Sequence, residues 1–284
     1  MDRKQQTQIG YSPEETEVVH NTCLFLATKL HDLMPSIQIV GGLVPSLIIG
    51  VYRGDDRPEP HVGTNDLDLG FELGILEDER YREIGVRLRD AGFRPDTNDD
   101  NNETRQRWVH PVRNVKIDFL IPPVDPAAQG GKLQNLDADL AAIVTPGLNL
   151  AFEDFEIIPV SGPTGPNERA ARDIWVCGPA AYIVLKALAF RNRGKNKDAY
   201  DLFYVLSNWP GGMDNLVLRW RRFVNSESAD KALKILEEDF RELDSTGPAR
   251  LNEFLEGEGS VNDALRADSR ELVQRFVSTL NPKD

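Results

Sequence analysis

Cysteine and histidine are scarce in this chain, and it has no long apolar run. Only Cys23 and Cys177 occur in 284 residues, so neither a disulfide framework nor a cysteine-ligated zinc site is indicated. His20, His31, His61 and His110 are scattered without ligand spacing. The longest apolar stretch, residues 37–51, is interrupted by Gln38, Gly41, Gly42 and Pro45 and is too short to span a bilayer. The opening residues, Met-Asp-Arg-Lys-Gln-Gln-Thr-Gln, contain no apolar signal core. A reduced cytoplasm, with no membrane partner, is the expected location. Basic residues are the minority, 33 Lys and Arg against 46 Asp and Glu, for a net charge of −13. That balance argues against a broad footprint on nucleic acid and leaves room only for a local basic groove. It suits a basic partner or a cationic small substrate. No Gly-x-Ser-x-Gly elbow occurs, and Gly130-Gly131-Lys132 is followed by Leu133 where a phosphate loop needs Ser or Thr.

What the chain does have is an ordinary globular composition, 40% apolar and 28% charged, and enough length for a sizeable core. Residues 1–13 read as a loose tail. Helical spacing predicts a helix over 13–33, a strand at 37–40 running into Gly41 and Gly42, and a short helix at 43–49. A turn is expected at 54–58, a strand at 66–73, a helix at 77–91, a hairpin turning at 98–103 into 105–110, and a strand at 115–121. Residues 122–136 read as a long loop, with further strands at 155–160 and 174–177. The Pro- and Gly-rich stretch 161–166 is the expected hinge. Beyond it the pattern predicts helices at 179–191, 198–206, 215–223, 229–243 and 261–280. The expected division is a tail at 1–13, an α/β unit at 14–162 and a mainly helical unit at 163–284.

From Asp66 the chain reads Asp-Leu-Asp-Leu-Gly-Phe-Glu-Leu. Apolar residues alternate with acids, as in a strand with one buried face. Asp66 and Asp68 then share a face, roughly 7 Å apart along the strand. Val115, Ile117 and Phe119 alternate in the same way with Lys116 and Asp118. Taken alone, either strand is simply the wet face of a sheet. If the two are neighbours, three carboxylates converge on one exposed patch and repel one another unless a divalent cation neutralises them. Gly41 and Gly42, between a strand and a short helix, let the backbone approach an anion closely. Phosphate beside a metal-binding carboxylate cluster describes a nucleoside triphosphate site.

A second constellation follows Gly178 and Pro179. Lys186 is the only charge between Ala180 and Phe190, so it either snorkels along its stem or is buried against a partner such as a triphosphate. Arg191, Arg193, Lys195 and Lys197 then form a cationic lip within an acidic protein. Asp198 and Asp201, three apart, share a helix face; capping of that helix is an equally good account of Asp201.

With these motifs in order, the chain resembles the AbiEii-type nucleotidyltransferases of the DNA polymerase β-like superfamily, which include toxins of bacterial toxin–antitoxin pairs. The residues that carry the resemblance are Gly41-Gly42, Thr64-Asn65-Asp66-Leu67-Asp68-Leu69, Lys116-Ile117-Asp118-Phe119, and Lys186 with Arg191 to Leu202. They span roughly residues 37–206; from about Asn208 onward there is no such resemblance. The resemblance implies an α+β nucleotidyltransferase domain with a mixed sheet, followed by a helical C-terminal domain. It implies Mg²⁺ or Mn²⁺ held by Asp66, Asp68 and Asp118, with an NTP as co-substrate. Asp118 would take the acceptor's proton, and Gly41, Gly42, Lys186, Arg191, Arg193 and Lys197 would hold the phosphates. Ser46 would be an additional phosphate donor, Asp198 would position Lys186 or the nucleotide, and Asp201 would belong to the nucleotide-binding set. The acceptor could be a protein, a tRNA or a small molecule, and the partner a cognate antitoxin. The Asp-x-Asp pair also occurs in metal-dependent glycosyltransferases, although the glycine turn and the Lys186–Asp201 segment favour nucleotidyl transfer. A non-catalytic nucleotide-binding or antitoxin-like partner is the remaining alternative.

Overall fold

The structure is a computed structural model that describes residues 7–50, 58–72, 78–98, 100–124 and 130–281. The turn expected at 54–58 lies outside these residues except for Pro58, as do the expected end of one strand at 73 and the start of the next helix at 77.

The described elements are α1 (Pro13–Leu30), β1 (Ile37–Val40), α2 (Val44–Ile48), β2 (Asp66–Phe71), α3 (Asp78–Asp90), β3 (Arg94–Thr97), β4 (Glu103–His110) and β5 (Val115–Ile121). There follow β6 (Leu133–Asn135), β7 (Ala141–Val144), α4 (Leu150–Glu153), β8 (Phe155–Gly165) and β9 (Glu168–Cys177). Helices α5 (Pro179–Arg193), α6 (Asn196–Asn208), α7 (Gly212–Trp220), α8 (Glu227–Asp239), α9 (Thr246–Glu256) and α10 (Asp263–Leu280) complete the chain. This is the expected α+β class, with a mixed sheet in front and helices behind.

The sheet order is β3-β4-β5-β2-β1-β9-β8, with β7 alongside the end of β5 and β6 alongside β7. Strand β2 runs antiparallel to β1 and parallel to β5, and β9 runs parallel to β1. The alternation in β2 and β5 is what the sequence pattern predicts. Leu67, Leu69, Phe71, Ile117, Phe119 and Ile121 are buried in the core, which leaves the acidic positions on the other face. Helix α1 packs across β8 and β9 and touches β5. Ser12 caps it by accepting from the Glu15 amide at 3.1 Å.

Several sequence expectations are corrected. Residues 161–166 are not a hinge: they lie in the β8–β9 hairpin, and β9 joins the same sheet through β1. Prolines 159 and 163 are tolerated because β8 is an edge strand. The loop expected at 122–136 includes β6, paired with β7. Helix α9 was not anticipated, because its first turn, Thr-Gly-Pro-Ala, reads as a breaker by composition. Within the supposed tail, Gln8 donates to the Leu255 carbonyl at 2.6 Å, and Tyr11 packs its ring 5.9 Å from that of Phe254. Those residues are docked.

Candidate functional site

Helices α5 and α6 bring their charged residues against the acidic face of β2 and β5. Gly178 precedes α5, Pro179 occupies its first turn, and Gly194 ends it in the left-handed conformation. The start of α5 is fixed by buried Asp154, which accepts from the Ala180 and Ala181 amides at 2.9 and 3.0 Å and from Arg219 at 2.5 Å. From Tyr182 to Phe190 α5 is apolar almost all round and largely buried, and it carries Lys186 into the interior.

Lys186 does not snorkel. Its ammonium lies 3.0 Å from Asp198 and 2.6 Å from Asp201, with 6% of the side chain exposed. Arg193 grips Asp198 through two nitrogens at 2.8 and 2.7 Å. Lys197 reaches Asp201 at 2.8 Å, one helical turn away. His61 Nε2 also meets Asp201 at 2.8 Å, while its Nδ1 accepts from the Gly63 amide. That fixes the neutral tautomer, with the proton on Nε2 donated to Asp201. Burial, together with the Lys197 charge, pushes His61 down to about 4. Burial also opposes ionisation of the two aspartates, but the cations outweigh it. Lys186 and Arg193 hold Asp198 at about 2, and Lys186 and Lys197 hold Asp201 well below its usual value. Both aspartates therefore serve as counter-ions to the cationic lip, which accounts for them better than helix capping does.

Across the cleft, β2 and β5 place Asp68 beside Asp118 and Asp66 beside Lys116. Asp118 is also the cross-strand partner of Arg107 on β4. The Arg107 guanidinium holds both of its oxygens, at 2.6 and 2.5 Å. The expected patch is therefore not an exposed surface: Asp66 and Asp68 are half-buried and Asp118 is buried. Burial, then the charges of Asp118 and Asp66, push Asp68 up to about 7. Burial likewise raises Asp66. Among the described residues no three His, Cys, Asp or Glu side chains are gathered closely enough to hold a metal ion.

Gly41 adopts φ +70°, and a Cβ placed on it would stand 1.7 Å from Asp68 Oδ2. A Cβ on Gly42 would stand 2.6 Å from the Thr64 hydroxyl. The glycine pair is therefore needed so that the turn can lie against the carboxylate row. Gly42, the three aspartates, Lys186, Arg193, Lys197 and Asp198 line one small polar cavity of about 100 Å³. An apolar cavity of about 120 Å³, edged by Leu120, Leu148 and Leu185, adjoins it and shares Asp68, Lys186 and Arg193. Gly41 faces this second cavity.

Two expected residues are placed elsewhere. Arg191 pairs with Glu238 and Asp239 on α8, at 3.1 and 2.8 Å. At 3.6 residues per turn it points about 140° away from Lys186, whereas Arg193 returns to the same face. Ser46 lines a larger, separate cavity of about 610 Å³ beside Ile49, His61 and Val62. Sequence reasoning missed Arg107, His61 and Tyr11. Arg107 lies three residues into an expected strand, but only the strand order sets it opposite Asp118. Lys195 lines the polar cavity and makes no ion pair among the described residues.

No protein-family model matches the chain, and no curated protein matches it. Two solved structures follow a similar overall course. JHP933 from Helicobacter pylori is 13% identical, with 96% of this chain and 95% of that one covered, at a TM-score of 0.46. A candidate nucleotidyltransferase from H. pylori is 12% identical, with 95% and 98% covered, at a TM-score of 0.47. Among the described residues no helix is long and apolar enough to cross a membrane.

Proposed function

We propose that this protein is a metal-dependent nucleotidyltransferase, moving a nucleoside monophosphate from an NTP to an acceptor hydroxyl. The observation that supports this best is one cleft holding Asp66, Asp68 and Asp118 on adjoining strands, opposite a glycine turn and a set of cations of which Lys186 and Lys197 are buried. The carboxylates are the donor type a divalent cation takes, and the three would have to draw together to share one. Oxygen ligands of this kind suit Mg²⁺ or Mn²⁺, and the crowding that pushes Asp68 up is what a cation would relieve. Asp66 and Asp68 would hold it, joined by Asp118 once Arg107 lets go. When bound, such an ion supplies charge neutralisation to the triphosphate and to the transition state.

The chain's own residues account for the rest. An ammonium has three donors; Lys186 donates one to Asp198 and is ion-paired with Asp201, which leaves a donor to turn to a phosphate oxygen. Lys195, not tied to a carboxylate, is the most available cation for the β- and γ-phosphates. The acceptor oxygen would attack the α-phosphorus, forming one P–O bond as the bond to pyrophosphate breaks. Asp118 would take the hydroxyl proton, which it can do only after its oxygens leave Arg107. The finer reading, a toxin neutralised by a cognate antitoxin and modifying a protein, a tRNA or a small molecule, rests on the motif resemblance.

The test is intact-mass analysis of candidate proteins, tRNAs and aminoglycosides after incubation with each NTP and Mg²⁺. Addition of one nucleotide mass, lost in Asp66→Ala, is the expected result. Equal NTP affinity with Mg²⁺ and with EDTA, and no adduct on any acceptor, would overturn the proposal.

A further inference from the structure

Three cations of the cleft share two counter-ions. Arg193 and Lys186 are held by Asp198, and Lys186 and Lys197 by Asp201; neither aspartate belongs to the row on β2 and β5. Arg107 differs. Among the described residues it is the only cation ion-paired to one of the three aspartates of that row, and it engages both oxygens of Asp118. The two parallel hydrogen bonds make this a charge-assisted pair.

The two partners are unequally anchored. Arg107 keeps 38% of its side chain exposed against 12% for Asp118. Asp118 is pinned in a central strand between β4 and β2, whereas the arginine has a long stem that can turn within the cleft. Arg107 also lines the same polar cavity as Lys195 and Lys186. A guanidinium fork on both oxygens of a carboxylate takes the lone pairs through which a divalent cation would chelate it, and its positive charge disfavours a cation on the remaining ones. The fork that fits a carboxylate fits a phosphate equally well.

We infer that Arg107 is an exchangeable counter-ion: it holds Asp118 when no divalent cation is present, and passes to the triphosphate when Asp118 turns to the cation. This rests on the nucleotidyltransferase reading and adds to it a positioning residue that couples metal occupancy to nucleotide binding. Arg107 then weakens binding of metal alone and strengthens binding of metal together with triphosphate. A residue that only braced the sheet would do neither.

The test uses the full chain and two readouts independent of turnover. Mn²⁺ binding is followed by electron paramagnetic resonance of the free ion, and binding of each NTP in the presence of Mg²⁺ by calorimetry. Arg107→Gln should bind Mn²⁺ tighter by roughly threefold or more, the scale of a partly exposed ion pair, and should bind the preferred Mg²⁺–NTP more weakly. Lys195→Gln removes the same charge from the cavity without touching Asp118, and should tighten Mn²⁺ binding clearly less. Arg107→Lys keeps the charge but loses the two-point grip, and should fall between; it also serves if the glutamine variant folds poorly. Unchanged Mn²⁺ affinity in Arg107→Gln, or equal tightening in Lys195→Gln, overturns the exchange and leaves the nucleotidyltransferase reading standing. If Asp66→Asn binds Mn²⁺ as the wild type does, the metal site itself falls, and the exchange with it.

Discussion

Asp118 stands directly beside Asp68 in the parallel register of β2 and β5, while its own oxygens are taken by Arg107. One neighbour repels it and the other neutralises it. The acidic row is therefore held together by an arginine on one side and left charge-crowded on the other.

That crowding predicts how Asp66 and Asp68 behave when replaced. Asp66→Asn and Asp68→Asn remove carboxylates whose ionisation burial opposes, so both proteins should melt at or slightly above the wild-type temperature in the absence of metal. Nucleotide transfer should fall by orders of magnitude, since a metal's stabilisation of the transition state is worth several kcal/mol. A well-folded Asp66→Asn protein with transfer activity equal to that of the wild type would refute the site.

Lys186 answers to a different balance. Removing its charge leaves Asp198 and Asp201 buried and short of a partner, which costs about 3–5 kcal/mol in comparable buried pairs. Lys186→Met preserves the packing of the stem but should still lower the melting temperature strongly. The double variant Lys186→Met/Asp201→Asn should recover part of the loss. A Lys186→Met protein as stable as wild type would show that the pair contributes nothing net.

The His61 contact sets a pH dependence. Its folded pKa, about 4, lies below the unfolded value near 6.5, so between these two the unfolded chain binds more protons. Stability from this group is complete above about pH 6.5 and is lost progressively as pH falls toward 4, by about 3 kcal/mol for a shift of this size. Thermal melts from pH 7 to 4 should show that decline, and His61→Asn should flatten it. An equally steep decline in the variant would assign the acid sensitivity elsewhere.

Gly41 and Gly212 have nearly the same backbone, φ +70° and +69°, but an added Cβ meets Asp68 at the first and open space at the second. Gly212→Ala should carry only the left-handed penalty of roughly 1–2 kcal/mol. Gly41→Ala should lose clearly more and should also displace Asp68, abolishing Mn²⁺ binding. Equal destabilisation by the two substitutions, read by chemical denaturation, would mean that the turn does not press on the carboxylate.

The toxin reading makes the last prediction. Inducible expression in a bacterium without a cognate partner should slow growth, and Asp66→Ala should not. Identical growth curves for the two proteins would remove that reading for the host used.

The sequence by itself determined what is periodic and local. Alternation put Asp66, Asp68 and Asp118 on polar faces because side chains on a strand alternate sides. The apolar surroundings of Lys186 required that helix to be buried, and Gly41 marked a turn where the backbone could approach a ligand closely. Tertiary structure alone decided which of these residues meet. Arg107 reaches Asp118 because β4 pairs with β5, and His61 reaches Asp201 across 140 positions of chain. Arg191, inside the expected lip, turns to α8 because five residues on a helix rotate it off the face of Lys186. Residues 161–166, rich in proline and glycine, continue the sheet because an edge strand tolerates missing donors. Composition and period describe one segment at a time, whereas the charge balance of the cleft depends on strand order and helix rotation, which arise only when the segments pack.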